Sequence, residues 1–363
     1  MIDALVLCEG KFGTTTGKTA SGLVRRSYKY RIVGVLDSTR AGQDAGQILD
    51  GKPNSIPIFS GVADALESTK PSCLIIGVAT VGGMLPADFR PVIRHAIESG
   101  LDIVSGLHEY LSDDPELSLL AKEHGASLQD IRRPPPLDKR HHFADRVRRI
   151  PALRIPVLGT DSAIGKRTTA WELTDSLNKA GIKAAFVATG QTGLLQGAKY
   201  GVPLDSIPGD FIVGELENAI MLAWESEKPQ VIVVEGQGAL SHPAYVCGSR
   251  AIVMASQPSG VVLQHAPMRR HRNYHPELKL PPSTIEGEMA LVKAYSNAEV
   301  IALTLNHEGM SCEEADAKVA DWEKTYGLPT CDALWHGCGK LVAPVRMMIA
   351  DREKEGATDS DVE

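Results

Sequence analysis

Apolar residues arrive along this chain in short continuous runs, with little strict alternation. Residues 2–8, 31–37, 73–78 and 102–105 form the first four, and runs of this kind suit strands covered on both faces of a parallel sheet. Between them lie stretches of helical period, such as Phe89 to Ser99, which Gly100 is placed to end. A second series follows at 155–158, 183–188, 230–234, 261–265 and 300–305, interleaved with helical segments at 168–179, 214–226 and 311–325. Strand and helix alternating throughout predict an α/β chain of two parallel-sheet domains. Their expected limits are residues 1–135 and 156–350. Residues 136–155 read as a basic, proline-containing linker, because Pro134-Pro135-Pro136 is a stiff extended break and eight Lys/Arg fall within 132–154. From 351 to 363 the chain is polar and is expected to be a disordered acidic tail.

One join between a strand and a helix carries chemistry. The run ending at Leu158 enters Gly159-Thr160-Asp161-Ser162-Ala163-Ile164-Gly165-Lys166-Arg167-Thr168, and good helix formers follow. A strand, a glycine-bounded loop and a helix N-terminus point backbone N–H groups at a phosphate, and the helix dipole favours its charge. Gly159, Thr160, Asp161, Ser162, Gly165, Lys166, Arg167 and Thr168 are therefore the candidate phosphate-binding residues, and the domain reads as P-loop NTPase-like. Two departures matter. Five residues separate the glycines where four are usual, and Arg167 stands where a Ser or Thr would hold magnesium. The second departure argues against phosphate hydrolysis or transfer. The first domain is Rossmann-like in layout, yet the loop after its first strand (Glu9 to Thr19) lacks G-x-G-x-x-G, so Asp37 reads as a cap or loop residue.

Further candidates sit at strand ends. Four β-branched residues, Val231 to Val234, lead to Glu235-Gly236-Gln237-Gly238, which would bring the Glu235 carboxylate beside the phosphate loop. His242 follows within a few residues, and Glu235 and His242 are the candidate catalytic pair. The positive loop after the strand at 261–265 runs from Arg269 to Arg272 and could hold an anion, and Arg132 and Arg133 at the junction could clamp a carboxylate or a phosphate. Asn306-His307-Glu308 ends the last clear strand. His336 and Cys338 lack partners at ligand spacing, so no metal is expected.

Composition narrows the classes. A formal net charge of −7 gives no overall attraction to nucleic acid or an anionic membrane. No apolar run approaches the roughly 20 residues of a membrane span, and the N-terminus reads as a first strand, not a signal peptide. Six cysteines without a C-x-x-C pair suggest free, mostly buried thiols in a reducing compartment, hence a cytoplasmic protein.

The loop Gly159 to Lys166 together with Val234-Glu235-Gly236-Gln237-Gly238 resembles the corresponding motifs of dethiobiotin synthetase, which has Thr directly after the lysine. Over nearly its full length, from the Glu9-Gly10-Lys11 loop through Thr189-Gly190-Gln191-Thr192-Gly193 and the Glu-Gly-Gln-Gly turn to Asn306-His307-Glu308, the chain is more similar to the bacterial family that contains D-glutamate N-acetyltransferase. That resemblance implies transfer of an acetyl group from the cosubstrate acetyl-CoA to the amine of D-glutamate, with no metal. The phosphate loop would hold CoA phosphates, Arg167 adding a contact. His242 or Glu235 would act as base, backbone N–H groups at 236–238 as oxyanion donors, and Arg132, Arg133, Arg269 or Arg270 as carboxylate ligands. The partners implied are a small amino acid and further copies of the chain, a homodimer or higher homo-oligomer. Two other classes stay open: a Mg-ATP-dependent ligase or kinase, and a nucleotide-binding sensor.

Overall fold

The structure, a computed structural model, describes residues 1–360. The chain divides into two compact units: Met1–Pro135 with Gln191–Ala198, and Pro136–Gly190 with Lys199 onward. The first holds strands β1 (Ile2–Leu7), β2 (Tyr30–Leu36), β3 (Ile58–Phe59), β4 (Cys73–Ile76), β5 (Asp102–Ser105) and β6 (Leu128–Asp130). Its helices are α1 (Lys18–Arg25), α2 (Ala45–Asp50), α3 (Val62–Ser68), α4 (Phe89–Glu98) and α5 (Pro115–His124). The strands pair in parallel in the order β3-β2-β1-β4-β5-β6, the layout of a Rossmann-like sheet. Asp37, just past β2, accepts from the N–H groups of Gly10, Phe12 and Thr39. It ties the first loop down, as a cap residue should.

The second unit has β7 (Leu153–Gly159), β8 (Ala184–Ala188), β9 (Tyr200–Gly201), β10 (Val231–Val234), β11 (Val261–His265), β12 (Val300–Leu305) and β13 (Thr330–Asp332). Helix α6 (Lys166–Lys179) follows the phosphate loop. α7 (Gln191–Leu195) belongs to the first unit, and α8 (Ile212–Glu227), α9 (Val246–Ser256), α10 (Ile285–Ser296), α11 (Cys312–Tyr326) and α12 (Val342–Ser360) complete the second. Sheet order is β13-β12-β11-β7-β10-β8-β9, again all parallel. β7 lies between β10 and β11, and every one of its residues is buried. The loops leaving β7, β10 and β11 therefore emerge side by side at one sheet edge. This is what assembles the site.

Three expectations are revised. Thr189-Gly190-Gln191-Thr192-Gly193, read as a loop, runs into α7, whose Thr192 Oγ1 lies 3.0 Å from that of Thr19 in the same unit. The basic stretch read as a linker is seated on α8: Glu217, wholly buried, accepts from the N–H groups of Ala144 at 2.8 Å and Arg146 at 2.6 Å, and Glu215 accepts from that of His141 at 2.7 Å. Removing a buried acceptor strands those donors, so Glu217→Ala should cost about 2–4 kcal/mol, read as a lowered urea midpoint at unchanged m. An unmoved midpoint would mean the basic stretch is not anchored there. Finally, the tail expected from 351 is helical to Ser360 as the end of α12, where Arg352 donates to the Ala152 carbonyl at 3.3 Å; residues 361–363 lie outside the described residues. Of the six cysteines, Cys247 and Cys312 are exposed and the other four buried, all free.

Candidate functional site

The site is built on the turn from β7 into α6. Gly165 adopts φ of 100°, a left-handed conformation that suits glycine, and it caps α6 with no side-chain hydrogen bond. The first N–H groups of the helix thus meet no capping side chain, which is how a helix N-terminus serves an anion. The loop is held from behind by β11 and β12. Thr160 N–H donates to the Gln264 carbonyl at 3.0 Å, Thr169 Oγ1 to Gln264 Oε1 at 2.5 Å, and Asn306 Nδ2 to the Ile164 carbonyl at 2.8 Å.

Lys166 is buried, and its Nζ donates to the Asp161 carbonyl at 2.5 Å. Burial lowers its pKa to about 7, against the pull of the Asp161 carboxylate and with a further push from Arg269. An ideal Cβ on Gly236 would stand 2.9 Å from Lys166 Cδ, so the turn after β10 lies directly on the lysine stem. Glu235, buried just before that turn, accepts through Oε2 from Thr189 N–H at 2.9 Å and Gly190 N–H at 3.2 Å. Its pKa is raised by burial, opposed by the charge of Arg167 and by those two N–H groups. The sequence-derived group of Lys166, Glu235 and the loop residues is therefore brought together.

His242 joins the same region with an altered character. Its Nδ1 accepts from the N–H groups of Ala244 and Tyr245, each at 3.2 Å. These bonds assign the ring proton to Nε2. Burial and the nearby Arg272 charge lower its pKa, so the ring is neutral and presents a donor. With Nδ1 occupied and Nε2 protonated, a free lone pair for general-base work is missing. That Nε2 lies 3.6 Å from Asp161 Oδ1.

The arginines are already engaged. Arg269 spends all five guanidinium N–H donors on its own unit: Asp161 Oδ2 at 3.0 Å, the carbonyls of Ser162 at 2.7 Å and Ala163 at 2.9 Å, and two bonds to Glu308 Oε2. It braces the phosphate loop, which corrects its reading as a substrate-carboxylate ligand. Within the first unit, Arg132 is buried and donates to the Gly106 carbonyl and Gln191 Oε1, while Arg133 meets Ser112 Oγ and Asp113 and lies over the Tyr110 ring. Both have structural partners.

Three groups were missed from the sequence. Glu288 on α10, buried, accepts from the N–H groups of Leu240 and Ser241 and from Ser241 Oγ, shaping the segment that carries His242. Arg272 donates to Ser241 Oγ at 2.9 Å and to the Thr160 carbonyl at 3.4 Å. Asp332 on β13 takes the His307 Nδ1 at 2.7 Å, and His307 stacks on Trp335 beside a small cavity of about 50 Å³ against Gly165 and Thr168. Two of these had a signal in the sequence: Arg272 ends the positive loop after the strand at 261–265, and His307, the partner of Asp332, stands at a strand end. Among the described residues, no group of three or more His, Cys, Asp or Glu could hold a metal, and no helix is long and apolar enough to cross a membrane.

Residues 141–342 match the family model described as a domain of unknown function, DUF1611_C, P-loop domain, and residues 38–134 match DUF1611_N, Rossmann-like domain. A protein of Tritonibacter scottomollicae named D-glutamate N-acetyltransferase is 33% identical over 314 residues, covering 85% of this chain and 92% of that protein. One of the same name from a Pseudoalteromonas species is 33% identical over 272 residues, covering 74% and 80%. The crystal structure of a DUF1611 family protein from Anabaena variabilis, 30% identical, superposes with a TM-score of 0.87 over 96% of this chain and all of that one.

Proposed function

The chain belongs to the DUF1611 family, and from that premise we propose that it transfers the acetyl group of acetyl-CoA to the amine of D-glutamate. Two relatives carry the name of that reaction at 33% identity. The observation that carries the reading in this chain is Lys166. A buried lysine at an uncapped helix N-terminus is built for phosphate, and the next residue is an arginine where a magnesium-holding hydroxyl would stand. Coenzyme A brings a pyrophosphate and a 3′-phosphate and needs no metal to be held. In this reading the loop from Gly159 to Thr168, with Lys166 and Arg167, takes CoA phosphates. Gly159 and Gly236 let the ends of β7, β10 and β11 pack closely around that loop, since a Cβ on Gly159 would stand 2.9 Å from the Gln264 carbonyl oxygen and one on Gly236 1.9 Å from that of Val157.

Glu235 is the group suited to take the ammonium proton, because burial raises its pKa toward the working range of a base. The protein would act on a free amino acid in the cytoplasm, as a homo-oligomer, without nucleic acid or membrane. The test is release of CoA thiol from acetyl-CoA with D-glutamate, L-glutamate and other amino acids, with and without Mg-ATP. Thiol release that requires D-glutamate and ignores Mg-ATP is the expected result. Thiol release with another amino acid alone would keep the reaction and move the substrate. No thiol release, with ADP formed from Mg-ATP and a carboxylic substrate, would sink the reading in favour of a ligase or kinase.

A further inference from the structure

Two buried polar atoms at the phosphate loop have no hydrogen-bond partner: Asp161 Oδ1, an acceptor, and His242 Nε2, which carries the ring proton and is a donor. Their residues are 2% and 1% exposed, and the two atoms lie 3.6 Å apart, beyond a hydrogen bond. Leaving either unpaired costs free energy that native structures rarely tolerate without a role. Both are held where they stand. Asp161 Oδ2 takes Arg269 at 3.0 Å and the Asn273 N–H at 2.9 Å, which leaves Oδ1 as the unused edge. His242 is pinned through Nδ1 by two backbone N–H groups and packed against Tyr245 and Tyr274 at ring distances of 4.6 and 5.9 Å.

A fixed donor beside a fixed acceptor is complementary to a group that presents an acceptor beside a donor. In acyl transfer to an amine, that group is the tetrahedral intermediate, whose oxyanion and amine nitrogen share one carbon. Resting on the acetyltransferase reading, we propose that His242 Nε2–H is an oxyanion donor and Asp161 Oδ1 the acceptor of the attacking nitrogen's proton. The substrate ammonium first loses one proton to Glu235. The amine then attacks the thioester carbon, forming the C–N bond, and the carbonyl π pair moves onto oxygen, where His242 Nε2–H meets it. The nitrogen, now positively charged, gives its second proton to Asp161. Collapse breaks the C–S bond with its electron pair leaving on sulfur; the thiolate takes the proton from Asp161, and that on Glu235 returns to solvent. One amide, one CoA thiol and one released proton result.

The test separates the donor from a packing role. His242→Asn keeps an acceptor near the Nδ1 position and lacks the Nε2–H; His242→Gln places an amide N–H near Nε2. With acetyl-CoA and D-glutamate at saturation, His242→Asn should lose about 100-fold or more in kcat with both KM values within about twofold, and His242→Gln should regain part of the loss. Asp161→Asn should lower kcat by a larger factor than it weakens CoA, titrated calorimetrically, because Asp161 also belongs to the phosphate loop and its Oδ2 holds Arg269 and the Asn273 N–H. A His242→Asn variant with parental kcat, or one whose loss lies in KM alone, overturns the assignment, as does a variant equally poor with Gln. If the unaltered protein releases no thiol with any amino acid, the acetyltransferase reading itself has failed, a result distinct from loss confined to the variants.

Discussion

Lys166→Met should give a protein that is more stable than the parent at neutral pH and binds CoA about 30- to 150-fold more weakly. The two effects share one cause. Burial holds the lysine near pKa 7 in the folded chain, against 10.5 when solvated. Below about pH 7 the group is charged in both states, and the full cost of burying that charge falls on the folded state. Between 7 and 10.5 the unfolded chain binds the extra proton, so stability rises with pH across this window until the cost is gone. An apolar methionine of similar length removes both the cost and the slope. The parent's melting temperature should therefore climb from pH 7 toward 10 relative to the variant's, and the variant should lead at pH 6 to 7. Bound phosphate reverses the balance, since an anion beside Nζ favours the ammonium. CoA binding by the parent near pH 8 should thus take up close to one proton, measured by calorimetry in two buffers of different ionisation enthalpy. The variant should take up none from this source and lose a charge-assisted contact of about 2–3 kcal/mol, which is the stated range in affinity. Equal affinity for CoA in parent and variant would remove Lys166 from the phosphate site.

How much of this was legible beforehand depended on range. β7, β10, β11 and β12 are each built on an apolar run of at least three residues, and a glycine-bounded loop follows β7. The edge strands β3 and β9 are two residues each and β13 three, too short for any periodicity to register. Two glycines within five residues at 189–193 give α7 the sequence pattern of a loop; what orders it is Thr192 against Thr19 and Gln191 against Arg132, contacts that no local pattern encodes. The positive cluster around Arg269 looked like an anion site for the same reason. Its acceptors include the carbonyls of Ser162 and Ala163, and backbone acceptors have no signature in residue identity. His242 was placed by its spacing from Glu235, while its tautomer depended on where two N–H groups point.

The closeness of the β7 and β10 ends leads to the last expectation: Gly236→Ala should destabilise the second unit severely. A Cβ at this position would stand 1.9 Å from the Val157 carbonyl oxygen and 2.9 Å from Lys166 Cδ. The lysine stem can bend. The carbonyl belongs to β7, which is buried along its whole length between two partner strands, so relief requires prising the strand ends apart. Overpacking against immobile backbone costs roughly 3 kcal/mol or more, a fall in melting temperature on the order of 10 °C for a unit of this size. Gly190 makes an instructive contrast, because a Cβ there first meets Gln237 Nε2 at 2.8 Å, the far end of a flexible side chain. Gly209→Ala, with nothing within 4 Å, should stay within about 0.5 kcal/mol of the parent. The order of melting temperatures should then be Gly209→Ala near the parent, Gly190→Ala below it, and Gly236→Ala lowest. Acetyl transfer should fail in Gly236→Ala even below its melting point, because the same displacement moves Glu235 away from the lysine, and misplacement by about 1 Å is enough to cost 100-fold in rate. A Gly236→Ala protein that melts with the parent would show that the turn after β10 does not press on β7, and the convergence that builds this site would have to be redrawn.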